Sequence, residues 1–261
     1  MSSASFSLSG LLSSFSEAWP TIGYLLGGAG TTCILILAAM LIGLVMGTVM
    51  ASGQVYGPPW AGRLVDLYVW FFRGVPILVL MFLFHFGLAG LLETAAADLA
   101  RSDLAARLFG ARLNLRPRVS PFVSAVAVLG LCSAAYQSQI FRGAMQSIPV
   151  GQFRAALALG MSRRQAVAAV ILPQALRLSI PAWSNEYSIL LKDSAIAYVV
   201  GVSEIMSRFK AVASATHRYL LLYVLAGLLY YLLTAIGVRL LDRLRRRVRT
   251  PGLGESDATG Y

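Results

Sequence analysis

In the stretch "WSNEYSILLKDS", Trp183 to Ser194, two acids, one lysine and one asparagine interrupt an apolar run. Glu186 and Asp193 are seven residues apart, two turns of helix, so a helix there carries both carboxylates on one face. Lys192 projects about 100° away and shares its stripe with Asn185 and Ser188. An acidic stripe beside a polar and basic one has the chemistry to grip the ammonium and the carboxylate of a zwitterion. No basic residue stands three or four positions from Glu186, which makes it the stronger candidate for a ligand contact. Further back, "FRGVP" sets Arg73 and Gly74 just ahead of Pro76. There a proline frees a backbone carbonyl and a glycine exposes backbone to a ligand. The competing reading is a structural network in which these charges neutralise one another between helices, Asp193 with Arg73 for example.

The other candidates are weaker. His85 and His217 are isolated, which argues against a metal or a proton relay. Tyr136 and Gln137 fit either a path lining or helix packing. Cys33 and Cys132 both sit in apolar runs and read as core thiols, not as a disulfide or a metal pair. No Ser/His/Asp set, metal cluster or paired-acid site stands out at one membrane depth, which removes support for a membrane enzyme.

The elements that position these residues must cross a membrane. Of 261 residues 57% are hydrophobic and only 13% are charged, with a mean hydropathy of +0.71, the composition of an integral membrane protein. The net charge of +11 flanks apolar segments and forms no aromatic-interleaved patch, so it reads as positive-inside bias and not as a nucleic-acid surface. The N-terminus has no basic stretch ahead of its first apolar run, so no cleavable signal is expected. Residues 21–52, 67–92, 119–141 and 219–238 pass the length test for a span. A fifth segment, 178–206, carries Pro181, Glu186, Lys192, Asp193, Gly201 and Glu204, and its helix is expected to be interrupted at Pro181 and Gly201. Charge parity decides for it. The first sixteen residues hold no Lys or Arg and the C-terminal end reads "RLLDRLRRRVR", so an external N-terminus and a cytoplasmic C-terminus require an odd number of crossings. The expected fold is an all-α membrane protein of five transmembrane helices. It divides into an external segment at 1–20, a transmembrane domain at 21–241 and a basic cytoplasmic tail at 242–261. The arginine-rich stretch 100–118 is left outside, as an interfacial amphipathic helix. The GxxxG pairs Gly23/Gly27 and Gly43/Gly47 permit close helix approach and say nothing more.

This topology puts "RAALALGMSRRQAVAAVILP", Arg154 to Pro173, in the cytoplasm. Pro149 suits a first helical turn, and Gly160 stands where a left-handed C-cap ends that helix. Ser162 with Gln165 three residues on forms a capping box for a second helix, and Pro173 is expected to end it. The loop at 147–173 is thus a pair of short helices tethered at both ends to spans, able to present a rigid surface to a cytoplasmic partner.

The pattern Ala155, Ala156, Gly160, Val170, Leu172 and Pro173 resembles the EAA loop of permease subunits in binding-protein-dependent ABC importers. The segments "FRGVPILVL", "AAYQSQIFRGAMQSIPVGQ" and "LPQALRLSIPAWSNEYSILLKDSAIAYVVGVSEI" narrow the likeness, over residues 25–241, to the polar amino-acid branch of that family. The resemblance implies a multi-pass protein of the cytoplasmic (inner) membrane whose loop, with Arg154, docks on a separate ATPase subunit. It implies a path lined by Arg73, Gly74, Val75, Pro76, Asn185, Glu186, Lys192 and Asp193. The chain has no GxxxxGK[ST] phosphate loop, so no cofactor is expected on it, and ATP and magnesium belong to the partner. A second permease copy, an external solute-binding protein and the lipid bilayer are the other implied partners, with no nucleic acid. Two departures stand out: Arg154 and Gln139 occupy positions where the family's usual residue is glutamate. If Glu186 faces the path unpaired, a cationic amino acid is favoured as cargo. The rival class is a stand-alone secondary transporter or channel with ion-coupled intramembrane charges. That class calls for an internal inverted repeat, which is not evident, and has no need of the loop.

Overall fold

The computed structural model describes the backbone at residues 8–101 and 118–248, and every element in them is helical. Helix α1 spans Leu8–Tyr56, α2 Pro59–Gly74 and α3 Ile77–Phe82, which passes through a π-helical turn, Leu83–Leu88, into α4, Ala89–Arg101. Then come α5, Pro121–Ser147, α6, Val150–Ala158, and α7, Arg163–Ala166. A second π-helical turn, Val167–Ile171, leads into α8, Leu172–Asp193, which tightens into a 3₁₀ segment, Ser194–Val200. Helices α9, Ile205–Thr216, and α10, Tyr219–Val248, complete the order. Among the described residues five helical stretches are long and apolar enough to span a membrane: Thr21–Tyr56, Ile77–Asp98, Pro121–Ser147, Arg163–Val200 and Tyr219–Val248. The protein is therefore an all-α, multi-pass membrane protein. The sequence's interfacial helix at 100–118 falls almost wholly outside the described residues. The first helix already begins at Leu8, inside the segment read as external, and α10 continues into the basic tail as far as Val248.

Three expectations are corrected. The second span, read as 67–92, is not one helix. It breaks at Val75 (φ −94°, ψ 131°) and Pro76 (φ −56°, ψ 134°), because proline fixes its own φ, lacks an N–H and pushes the preceding residue into an extended conformation. The unbroken apolar stretch begins only at Ile77. In the fourth span, Pro181 lies inside α8 without interrupting it. The end comes at Gly201, whose φ of +98° suits glycine. Finally, Pro173 does not end the second loop helix. The preceding turn widens to π geometry, with Leu172 N–H donating to the Val167 carbonyl, so the proline ring sits at the opening of α8 where its missing N–H does least harm. Gln174 Nε2 satisfies the Val170 carbonyl at 2.8 Å. The loop's second helix and the fourth span are thereby one continuous rod.

The first loop helix follows the sequence reading. Pro149 is its N-cap, Gly160 has φ +83°, and the Ser162–Gln165 capping box is formed in both directions. Phe153 and Val170 hold the loop against a core of Ala51, Phe141, Met145, Ile148 and Ile171. A second core at mid-bundle joins Leu35, Ile36, Leu80, Met81, Leu129 and Leu191. A third ties α1 to α9 and α10 through Leu25, Ile205, Phe209 and Leu222. Helices α1 and α5 approach closely because Gly43 and Gly47 lie directly against Gln137 and Ser138. A Cβ on Gly47 would sit 3.0 Å from the Ser138 amide nitrogen.

Candidate functional site

The broken crossing runs antiparallel to α5. Asp66 lies beside Arg142 at 3.8 Å, Arg73 over the ring of Tyr136 at 4.8 Å, His85 beside Ser124 at 2.9 Å, and Glu93 accepts from Val119 N–H. This register places the Val75–Pro76 break opposite the midpoint of α5. There the chain opens a cavity of about 340 Å³. Its walls come from the break (Phe72 to Ile77), from α5 (Cys132, Ser133, Tyr136) and from α8 (Glu186, Ile189, Leu190, Asp193). Residue 76, as a proline, offers no N–H to the Phe72 carbonyl four residues back, so that acceptor is left without its helical donor.

Of the candidate path residues, the fold gathers Arg73, Gly74, Val75, Pro76, Glu186 and Asp193 at this cavity. Asn185 and Lys192 are exposed and do not line it. The two stripes of α8 thus point different ways, the acidic one inward and the lysine-bearing one out of the described bundle. Glu186 is 3% exposed and accepts one hydrogen bond, from Ser133 Oγ at 2.9 Å. No fully buried side-chain polar atom among the described residues lacks a partner, so the second carboxylate oxygen of Glu186 reaches the cavity. Among the described residues no ion pair joins Arg73 to Asp193, although both face the same space. The structural-network reading of that pair is not what the fold builds.

Behind the cavity lies a polar chain built around Gln137, which the sequence left between path lining and packing, and Ser133, which it did not single out. Gln137, fully buried, donates from Nε2 to the Met40 carbonyl at 3.1 Å and to Ser133 Oγ at 3.0 Å. Its Oε1 accepts from Trp183 Nε1 at 2.8 Å. Gly43 makes the room, since a side chain there would collide with the Gln137 amide and stand 2.9 Å from Ser133 Oγ. Ser133 and Gln137, four apart on α5, form a polar stripe within an apolar span, which is the signal that could have found them. Cys132 is buried in the core and touches the cavity edge. His85 and His217 are remote from each other, His85 on the crossing and His217 as the left-handed cap of α9. Among the described residues no group of three or more His, Cys, Asp or Glu side chains converges.

The loop residues lie at the opposite pole. Ala156 is buried, whereas Arg154, Ala155, Gly160 and Pro173 are exposed and Val170 and Leu172 half-buried. Val150 and Leu159, at the two ends of α6, are 63% and 82% exposed. Gln139 belongs to a polar cluster at the same end. It donates to Gln54 at 3.2 Å, Gln54 donates to Asp66 at 2.7 Å, and Asp66 supplies the acid beside Arg142.

Residues 39–250 match the family described as binding-protein-dependent transport system inner membrane component. The chain is 32% identical to the arginine transport system permease protein ArtQ of Bacillus subtilis (strain 168), covering 85% of this chain and 91% of that protein. It is 30% identical to the glutamine transport system permease protein GlnP of Escherichia coli (strain K12), covering 90% and 97%. Among solved structures it resembles a crystal structure of an amino acid ABC transporter with histidines, at a TM-score of 0.68 and 27% identity over 90% of this chain and 98% of that one.

Proposed function

The chain belongs to the family of binding-protein-dependent transport system inner membrane components, as a permease subunit of an amino-acid ABC importer, and from that premise we propose that its cargo is a cationic amino acid held at the Arg73–Glu186–Asp193 cavity. The observation that carries this reading is the formal charge of the lining: one arginine against two carboxylates. A neutral zwitterion leaves one acid over. An amino acid with a cationic side chain brings two positive groups and one carboxylate and balances all three. A carboxylate taken from water with no cation costs several kcal/mol, so Glu186 favours whatever returns a positive group to it. Arg73, resting on the Tyr136 face and in no ion pair among the described residues, stays available to the cargo carboxylate. The free Phe72 carbonyl adds an acceptor for N–H groups.

The arginine distribution supports an external N-terminus and a cytoplasmic C-terminus, in the cytoplasmic membrane. Helix α6, with Arg154 and the exposed Val150 and Leu159, is then the surface offered to an ATPase partner, which supplies ATP and magnesium chemistry. Because α7 runs into α8 without a loop, displacement of that surface reaches Glu186 along a single rod. A second permease copy suits the exposed apolar stripe Ile34, Leu37, Leu41, Val45 and Val49 on α1, and an external binding protein delivers the cargo.

The test is transport in liposomes by the permease–ATPase complex with its binding protein. Uptake of L-arginine should depend on ATP, and deleting Ala155–Gly160 should abolish ATPase capture while the spans remain folded. Glu186→Gln should lower the preference for L-arginine over its neutral isostere L-citrulline at least about tenfold, the size of a lost charged hydrogen bond. Equal effects on the two amino acids would remove the cationic assignment, and full uptake without an ATPase would favour a secondary transporter.

A further inference from the structure

Six helix serines among the described residues behave alike, while Ser124 pairs across helices with the His85 ring. Ser138, Ser147, Ser179, Ser184, Ser188 and Ser194 each donate to a backbone carbonyl three or four residues earlier, at 2.7–3.0 Å. That is the ordinary habit of a serine inside a helix. Ser133 on α5 does not follow it; its hydroxyl crosses to α8 and donates to Glu186 Oε1 at 2.9 Å. The reason lies in groups that can act in only one way. The Trp183 indole N–H can only donate, so the Gln137 oxygen must face it. The Met40 carbonyl can only accept, so the Gln137 NH₂ must face that side. Both constraints fix the same amide orientation, which aims the second N–H of Gln137 at Ser133 Oγ. With one lone pair taken, the serine hydrogen is directed at the nearest acceptor across the helix interface, Glu186.

We infer that Ser133 is a specificity-determining positioning residue, turned by Gln137 and Trp183 away from its own helix so that Glu186 meets the cargo as a hydrogen-bond acceptor. This rests on the cargo reading above and adds to it why the site discriminates. L-Citrulline has the shape of L-arginine but presents a urea oxygen where the guanidinium has N–H donors. A second acceptor against an acceptor is poorly tolerated in a buried site. Without the Ser133 bond, Glu186 can rotate or carry a proton toward the cavity, and the distinction weakens.

The experiment uses the purified permease–ATPase complex without binding protein, so that selectivity belongs to the membrane subunit, and measures equilibrium binding of L-arginine and L-citrulline. Ser133→Ala should lower the arginine-to-citrulline ratio about tenfold, chiefly through weaker arginine binding, alongside a drop in thermal stability from the Gln137 N–H left without its acceptor. The paired Gln137→Leu/Trp183→Phe variant leaves the Ser133 hydroxyl free to return to its own helix and should give a smaller drop, about threefold. Neither change should lower the ratio further in a Glu186→Gln background. A wild-type ratio near one, or no effect of Glu186→Gln, sinks the cargo reading and this inference with it. A clear effect of Glu186→Gln with Ser133→Ala indistinguishable from wild type overturns the inference alone. So does an equal loss for both ligands, the signature of a purely structural serine.

Discussion

Glu204 and Glu186 are both buried carboxylates, 0% and 3% exposed, placed in very different company. Glu204 caps helix α9. It accepts from Met206 N–H at 2.9 Å and Ser207 N–H at 2.7 Å, and from the Tyr230 hydroxyl at 2.6 Å, joining α9 to α10. Its acceptor capacity is spent on the protein itself. Glu186 receives a single bond, from Ser133, and keeps an oxygen at a cavity lined by one arginine and two carboxylates. Equal burial therefore marks opposite roles. A carboxylate finished by its own fold holds two elements together; one with an oxygen open to a cavity is available to the cargo proposed above.

The comparison breaks most visibly at Glu204. Glu204→Ala strands two N–H groups of a helix first turn and a buried hydroxyl, at a cost of about 3 kcal/mol or more. Thermal unfolding of the complex should fall sharply while the arginine-to-citrulline ratio of the surviving protein stays where it was. A changed ratio would mean that the two acids are not separate in function. Tyr230→Phe removes one bond and retains the ring, so it should cost about 1 kcal/mol in the same unfolding assay and again leave selectivity alone. The smallest effect is in pH. Burial pushes the Glu204 carboxyl above the ordinary carboxylate range, although the bonds from Tyr230, Met206 and Ser207 hold it back. A raised folded-state value means that the folded form binds the extra proton, so stability declines as pH rises from the ordinary carboxylate range through the raised value. Unfolding followed across that window should show a shallow slope that Glu204→Gln removes.

Much of the architecture was legible residue by residue. The helix pair of the loop could be read from Pro149, Gly160, Ser162 and Gln165, since caps and left-handed glycines are local features that need no distant partner. The inward acidic stripe of α8 followed from the seven-residue spacing of Glu186 and Asp193. Pro173 and Pro76 were misjudged in opposite senses. One was taken as a helix end and sits in a continuous rod, because a π turn ahead of it absorbs the missing donor. The other was taken as a feature within one span and divides it. A proline states what its backbone cannot do, and its neighbours in space decide how the chain answers. Ser133 escaped notice, and Gln137 was left between path lining and helix packing, because their roles are defined by Met40 and Trp183, far away in sequence. Gly43, read as ordinary close-packing spacing, turns out to make the room for that chain.

Composition, charge asymmetry and capping residues were enough to specify a five-span membrane protein with a helical handle on one side, because hydrophobic length and local hydrogen bonding act within a few turns of chain. Which charges meet, and which are left unpaired, was settled only when α2, α5 and α8 came together around one cavity. Electrostatic pairing depends on distances between groups a hundred residues apart, and no local rule in the sequence encodes those.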